Sequence, residues 1–128
     1  MDTTGTILKK WKDGDSLRVT IQLPRQEELL KCIVKKGYIA IDGVSLTITD
    51  VDAPAATFSF MLVPHTQASI IMPHKEVGAR VNLEVDVMAK YALRAASSSS
   101  SVDGVGMCLV AAMVATAGGA TGYFLSRR

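Results

Sequence analysis

Apolar and polar residues alternate in several separate stretches of this chain, and alternation places successive side chains on opposite faces of a strand. Leu17, Val19, Ile21 and Leu23 share one face, with Arg18, Thr20 and Gln22 on the other. Val44, Leu46 and Ile48 alternate with Ser45, Thr47 and Thr49. Phe58, Phe60 and Leu62 alternate with Thr57, Ser59, Met61 and Val63. The cleanest pattern is Arg80 to Val87, where Val81, Leu83, Val85 and Val87 are expected to point inward and Arg80, Asn82, Glu84 and Asp86 outward. Half-buried strands of this kind belong to antiparallel sheets and exclude a parallel α/β sheet.

Between these stretches the turn signals are close together. Thr3 to Leu8 reads as a short first strand, followed by a charged turn, Lys9 to Asp15, broken at Gly14. Tyr38 to Ile41 and Val44 to Thr49 flank Asp42-Gly43, a dipeptide suited to a two-residue hairpin. Pro64 closes the strand before it, and Ala68 to Met72 reads as a further short strand. One segment changes period. Leu29, Leu30, Ile33 and Val34 give one face of a short helix over Gln26 to Lys36. Glu27 and Glu28 at its start and Lys35 and Lys36 at its end suit the helix dipole, and Gly37 is its stop. The expected fold is all-β: a small closed Greek-key-type β-barrel with one short helix and an uncharged C-terminal tail.

Composition narrows the function. A net charge of +2 over 128 residues, with no basic run interleaved with aromatics, gives no support for nucleic-acid binding. Cys32 and Cys108 lie far apart, with no metal-ligand spacing and no Cys-x-x-Cys pair, so a thiol-reducing compartment is the expectation and no metal is implied. Cys32 reads as a small packed residue. Three regions are expected: a barrel over residues 1–92, an Ala/Ser-rich linker over 93–103, and an apolar tail over 104–128. Gly104 to Ser126 carries no charge and precedes Arg127-Arg128. As a helix it would reach about 34 Å, enough for a bilayer core of about 30 Å, so a membrane anchor stands beside an apolar tail as a reading of that stretch. The hydroxyls of Ser45 and Thr47 also allow two readings: a solvated strand face, or the lining of a site for a polyhydroxylated or heteroaromatic ligand, since hydroxyls both donate and accept hydrogen bonds.

Three motifs in order resemble one family. They are Lys36-Gly37-Tyr38-Ile39-Ala40-Ile41-Asp42-Gly43-Val44-Ser45-Leu46-Thr47, then Phe60-Met61-Leu62-Val63-Pro64-His65-Thr66, then Val77-Gly78-Ala79-Arg80-Val81-Asn82-Leu83-Glu84-Val85-Asp86. Together they look like the second barrel of alpha-type riboflavin synthase, an enzyme of two tandem lumazine-binding barrels. The likeness runs from Asp2 to near Tyr91, about seven-tenths of the chain. The first barrel, and the Gly-His pair that in the family precedes the segment matching Met1 to Thr4, have no counterpart here. The tail after Tyr91 also departs from the family, which has a trimer-forming helix there.

The resemblance implies dismutation of two 6,7-dimethyl-8-ribityllumazine molecules to riboflavin and 5-amino-6-ribitylamino-uracil, without cofactor or metal. Carried over residue by residue, substrate would be bound by Lys36, Ser45, Leu46, Thr47, Met61, Leu62, Val63, Pro64, His65 and Thr66. Ser45 and Asp86 are the candidate catalytic residues, with Asp86 an acid/base or ribityl partner and Lys36 a group that polarises a ring oxygen. Because the family builds its site between two barrels, the implied partner is a second lumazine-binding barrel, from a homo-oligomer or an N-terminal domain. A non-catalytic lumazine- or flavin-binding module and a membrane-tethered scaffold are the alternatives. The implied location is cytoplasm or plastid stroma, with membrane association through 104–126.

Overall fold

The computed structural model describes residues 1–98; the uncharged stretch 104–126, for which a membrane anchor was one reading, lies outside the described residues. Six strands close into an antiparallel barrel: β1 (Thr3–Asp13), β2 (Ser16–Gln22), β3 (Tyr38–Ile41), β4 (Val44–Asp52), β5 (Thr57–Leu62) and β6 (Arg80–Val85), in the order β1-β2-β5-β4-β3-β6. Met1–Lys90 form one compact unit. Full closure removes the exposed strand edges that an open sheet of this size would present.

The alternation read from sequence fills the interior. Val19 and Ile21 from β2, Ile39 and Ile41 from β3, Ile48 from β4, Phe58, Phe60 and Leu62 from β5, and Val81 and Leu83 from β6 are all buried. The rings of Phe58 and Phe60 lie 6.3 Å apart at a tilted angle. Gly5 occupies a core position of β1 because nothing larger fits. A Cβ there would stand 2.4 Å from Ile21 Cγ2 and 2.9 Å from Leu83 Cδ1. Asp42 and Gly43 both take positive φ, 48° and 83°, the backbone of a tight hairpin whose twist matches its strands. Asp42 then fastens the turn: its Oδ1 accepts from Asn82 N at 2.9 Å and its Oδ2 from Lys75 Nζ at 2.6 Å.

Several elements differ from the sequence expectation. β1 does not stop at Leu8 but continues to Asp13, pairing Lys9 to Asp13 with Ser16 to Thr20. A bulge between Ile7 and Lys9 turns this ribbon, and the Lys9 ammonium sits 4.7 Å above the Trp11 ring, so a charged segment is stable as strand. Helix α1 spans only Glu27–Lys31. Its last turn tightens through Cys32 N to Leu29 O and Ile33 N to Leu30 O, sending Cys32 and Ile33 into the core while Val34 stays exposed. The stop is made by Lys36, at φ 67°, while Gly37 allows a close approach to Val34.

No strand forms over Ala68 to Met72. Pro64 opens a helix, α2 (Pro64–Ser69), where its missing N–H costs nothing, and a 3-10 turn follows at Met72–His74. Gln67 holds this helix by donating through Nε2 to Leu62 O at 2.8 Å and Asp15 O at 2.9 Å. Val87 does not point inward. It is 56% exposed and begins α3 (Val87–Ser98), so the described residues hold three α-helices where one was expected. Ala95 to Ser98, from the Ala/Ser-rich stretch, belong to α3. No helix among the described residues is long and apolar enough to cross a membrane.

Candidate functional site

The outer surface of β3 and β4 is where the candidate residues meet. The Asp42-Gly43 turn fixes the register, pairing Tyr38 with Thr47, Ile39 with Leu46 and Ala40 with Ser45. On the other side β3 pairs with β6, Ala40 facing Glu84 and Ile39 facing Val85. Since alternation sends Ile39 and Leu46 inward, Tyr38, Ala40, Ser45, Thr47 and Glu84 share the outside. A groove of about 330 Å³ crosses this face. Ser45 and Asp86, the two candidate catalytic residues, both line it, with Tyr38, Ala40, Val85 and Val87 among its other walls.

The structure also sorts the remaining candidates. Thr47 stands beside Tyr38 on the same face. The β4–β5 ladder ends at Ile48 and Phe60, and the next residues along, Thr47 and Met61, are both exposed. Val63, Pro64 and His65 are exposed at the start of α2, and Thr66 is half-buried within it. Leu46 and Leu62 face the barrel interior, Leu62 with no exposed surface, so neither side chain reaches the outer face. Lys36 is exposed, and its backbone N–H donates to Ile48 O at 2.8 Å, which places it at the foot of the same hairpin. Thr49, grouped by sequence with Ser45 and Thr47, separates from them. A bulge falls between Ile48 and Asp50, and the Thr49 hydroxyl donates to Ser59 O at 3.0 Å.

Asp86 also caps a helix. Its Oδ1 accepts from Met88 N at 3.0 Å, capping α3, and its carbonyl accepts from Ala89 N at 3.1 Å. One carboxylate oxygen is therefore committed to the helix, and the other makes no hydrogen bond to a described residue.

The family model of the lumazine binding domain matches residues 1–86. The chain belongs to this family. It is 50% identical over 91 residues to riboflavin synthase of Schizosaccharomyces pombe, covering 71% of this chain and 42% of that protein. It is 47% identical to riboflavin synthase of Meyerozyma guilliermondii over 90 residues, covering 70% of this chain and 37% of the relative. Among solved structures it is similar to LumP complexed with 6,7-dimethyl-8-(1'-D-ribityl) lumazine, with a TM-score of 0.58 and 27% identity over 67% of this chain and 46% of that one. LumP complexed with riboflavin gives 0.57 and 28%, covering 67% and 44%. The chain thus spans about two-fifths of the length of these curated relatives.

Within this lumazine-binding domain, sequence reasoning missed Tyr38, Ala40, Glu84 and Val87 as groove residues. The signal for two of them was present. Once Asp42-Gly43 is taken as a two-residue turn, counting back puts Ala40 opposite Ser45 and Tyr38 opposite Thr47. Glu84 and Val87 needed the non-local β3–β6 pairing and the helix that begins after Asp86. Among the described residues no group of His, Cys, Asp or Glu is arranged to hold a metal ion. Cys32 is buried, and loss of hydration pushes its thiol pKa up, so it is held as a neutral packed thiol.

Proposed function

We propose that the groove binds 6,7-dimethyl-8-ribityllumazine, and that this barrel supplies half of a site at which two such molecules dismutate to riboflavin and 5-amino-6-ribitylamino-uracil. The observation that carries the proposal is the meeting on one groove of Ser45, from β4, and Asp86, from the joint after β6, which lie far apart in sequence. Exposed Ser45 and Thr47 offer hydroxyls that both donate and accept, as ring carbonyls and a ribityl chain require. Tyr38 and Val87 offer apolar surface to a flat ring. Met61 to Thr66 and Lys36 border the same region in this reading, Leu46 and Leu62 contributing through backbone.

The reaction needs two lumazines, one giving a four-carbon unit to the other, so the partner is a second lumazine-binding barrel. The similarity to riboflavin synthases of which the matched segment covers only 42% and 37% supports this. Holding the two rings in register would supply much of the rate, with the free Asp86 oxygen placed to move a proton. The free thiol of Cys32 is in keeping with a cytoplasmic or stromal location. A second reading, a carrier that binds lumazine or a flavin without turnover, is favoured by the likeness to LumP.

Purified chain mixed with 6,7-dimethyl-8-ribityllumazine separates these readings, following ligand fluorescence and riboflavin formation together. Riboflavin appearing with second-order dependence on protein means that paired copies of this barrel suffice. Binding without riboflavin, abolished in a Ser45→Ala, Thr47→Ala double variant, means a half-site or a carrier. No binding overturns both.

A further inference from the structure

The geometry points to Asp2 and Lys90 as the positioning pair that holds Asp86 and Val87 at the rim of the groove. The inference rests on the reading of that groove as a lumazine site. Asp86 sits at a joint, the last step out of β6 and the cap of α3. A joint of this kind is free to swing unless both its sides are tied to something outside it.

One carboxylate ties both. Asp2 Oδ2 accepts from the backbone N–H of Val85 at 2.9 Å, gripping the end of β6 just before Asp86. Asp2 Oδ1 accepts from Lys90 Nζ at 2.8 Å, gripping the first turn of α3 four residues after Asp86. Asp2 is itself anchored, its N–H donating to Leu83 O at 2.8 Å where β1 and β6 pair. The residues bracketed between these two contacts, Val85 to Lys90, include three that line the groove: Val85, Asp86 and Val87. Neither Asp2 nor Lys90 lines it, so the pair acts through the joint.

The electrostatics agree. The Lys90 hydrogen bond leads the causes that hold the Asp2 carboxyl below its usual range, and the Asp2 bond leads those that raise Lys90. Asp2 side-chain exposure is 23% and that of Lys90 is 44%, so water screens the pair, and its value lies in geometry more than in stability. Misplacing a site group by about 1 Å can cost up to a hundredfold in function, far more than an exposed ion pair costs a fold.

The test compares Lys90→Met, Lys90→Arg and Asp2→Asn with the unaltered chain. Lumazine affinity is read from ligand fluorescence, and exchange of the Met88, Ala89 and Lys90 amides is read by hydrogen–deuterium NMR. Lys90→Met and Asp2→Asn should each weaken binding about tenfold and speed exchange of those amides, with the melting temperature nearly unchanged. Lys90→Arg should keep the contact and restore both readouts. Unchanged affinity in Lys90→Met with normal binding by the unaltered chain overturns the inference and leaves the lumazine reading standing. If the unaltered chain binds no lumazine, that reading fails instead, and amide exchange alone decides: faster exchange in Lys90→Met supports the clamp, and unchanged exchange overturns it.

Discussion

The two faces of the β3–β4 hairpin are made of the same two strands and do opposite work. Inside, Ile39, Ile41, Leu46 and Ile48 are buried, at most 9% exposed, in the same core as Phe60, Val81 and Leu83. Outside, Tyr38, Ser45 and Thr47 are exposed, and none of their side-chain hydroxyls is bonded to another described residue. The contrast is not one of secondary structure, since the residues interleave one by one. It teaches that the register set by Asp42-Gly43 serves both ends: slipping by one residue would put Ser45 and Thr47 into the core and the isoleucines into the groove.

Substitutions on the inner face should therefore act on folding. Phe60→Ala removes a ring with no exposed surface beside Phe58 and leaves a cavity. A loss of about 3–5 kcal/mol is expected, a large share of the stability of a barrel this small. Urea unfolding should show the midpoint falling, and any loss of ligand binding should track the unfolded fraction.

Outer-face substitutions should separate binding from stability. Ser45→Ala with Thr47→Ala removes two hydroxyls that water now satisfies, so unfolding should move by no more than about 0.5 kcal/mol. Lumazine affinity should fall by about 1–3 kcal/mol, roughly tenfold to a hundredfold, if both hydroxyls bond the ligand. A calorimetric titration beside a melting curve checks both numbers, and a parallel drop in melting temperature would blur the division between the faces.

The same division explains what could be read without coordinates. Alternation is a local signal, so β2, β4, β5 and most of β6 were legible, together with the core and the hydroxyls of Ser45 and Thr47. Failures came where a local signal is ambiguous. Pro64 ends a strand and also starts a helix, and only the second is realised, with Gln67 bonding back to Leu62 and Asp15. Val87 continued the period of β6 by one step, but the Asp86 carboxylate capping Met88 N ends the strand first. Lys9 to Asp13 looked like a turn because strand pairing with β2 is invisible to composition. Of the groove itself, the hairpin side was within reach of turn chemistry, while the Glu84 and Val87 side depended on closure between β3 and β6.

Asp86 lies between the two kinds of residue, and a pair of substitutions sharpens its position. Asp86→Ala loses the cap and the charge, costing about 1 kcal/mol of stability as well as ligand affinity. Asp86→Asn keeps an oxygen for Met88 N and so keeps most of the stability. If the free carboxylate oxygen moves a proton, Asp86→Asn should depress turnover, or ligand affinity in a carrier, as strongly as Asp86→Ala does. Recovery of both stability and function in Asp86→Asn would assign Asp86 to the helix alone.

The smallest effect concerns pH, and its sign follows from the Asp2–Lys90 pair. Asp2 is held below its ordinary value of 3.8, first by the Lys90 hydrogen bond. A depressed carboxyl stabilises the fold above its unfolded value and loses that contribution as pH falls through the folded value. Lys90 is raised above 10.5, first by the Asp2 bond, so its contribution is present below 10.5 and lost as pH climbs through the raised value. The difference in unfolding free energy between the unaltered chain and Asp2→Asn should therefore be flat from about pH 5 to 9 and shrink toward zero in strong acid. Solvent exposure of both side chains screens the pair and keeps this contribution small. Urea unfolding at a series of pH values measures it, and a difference that grew in acid would mean that the carboxylate of Asp2 is a burden on the fold and not a tie between β6 and α3.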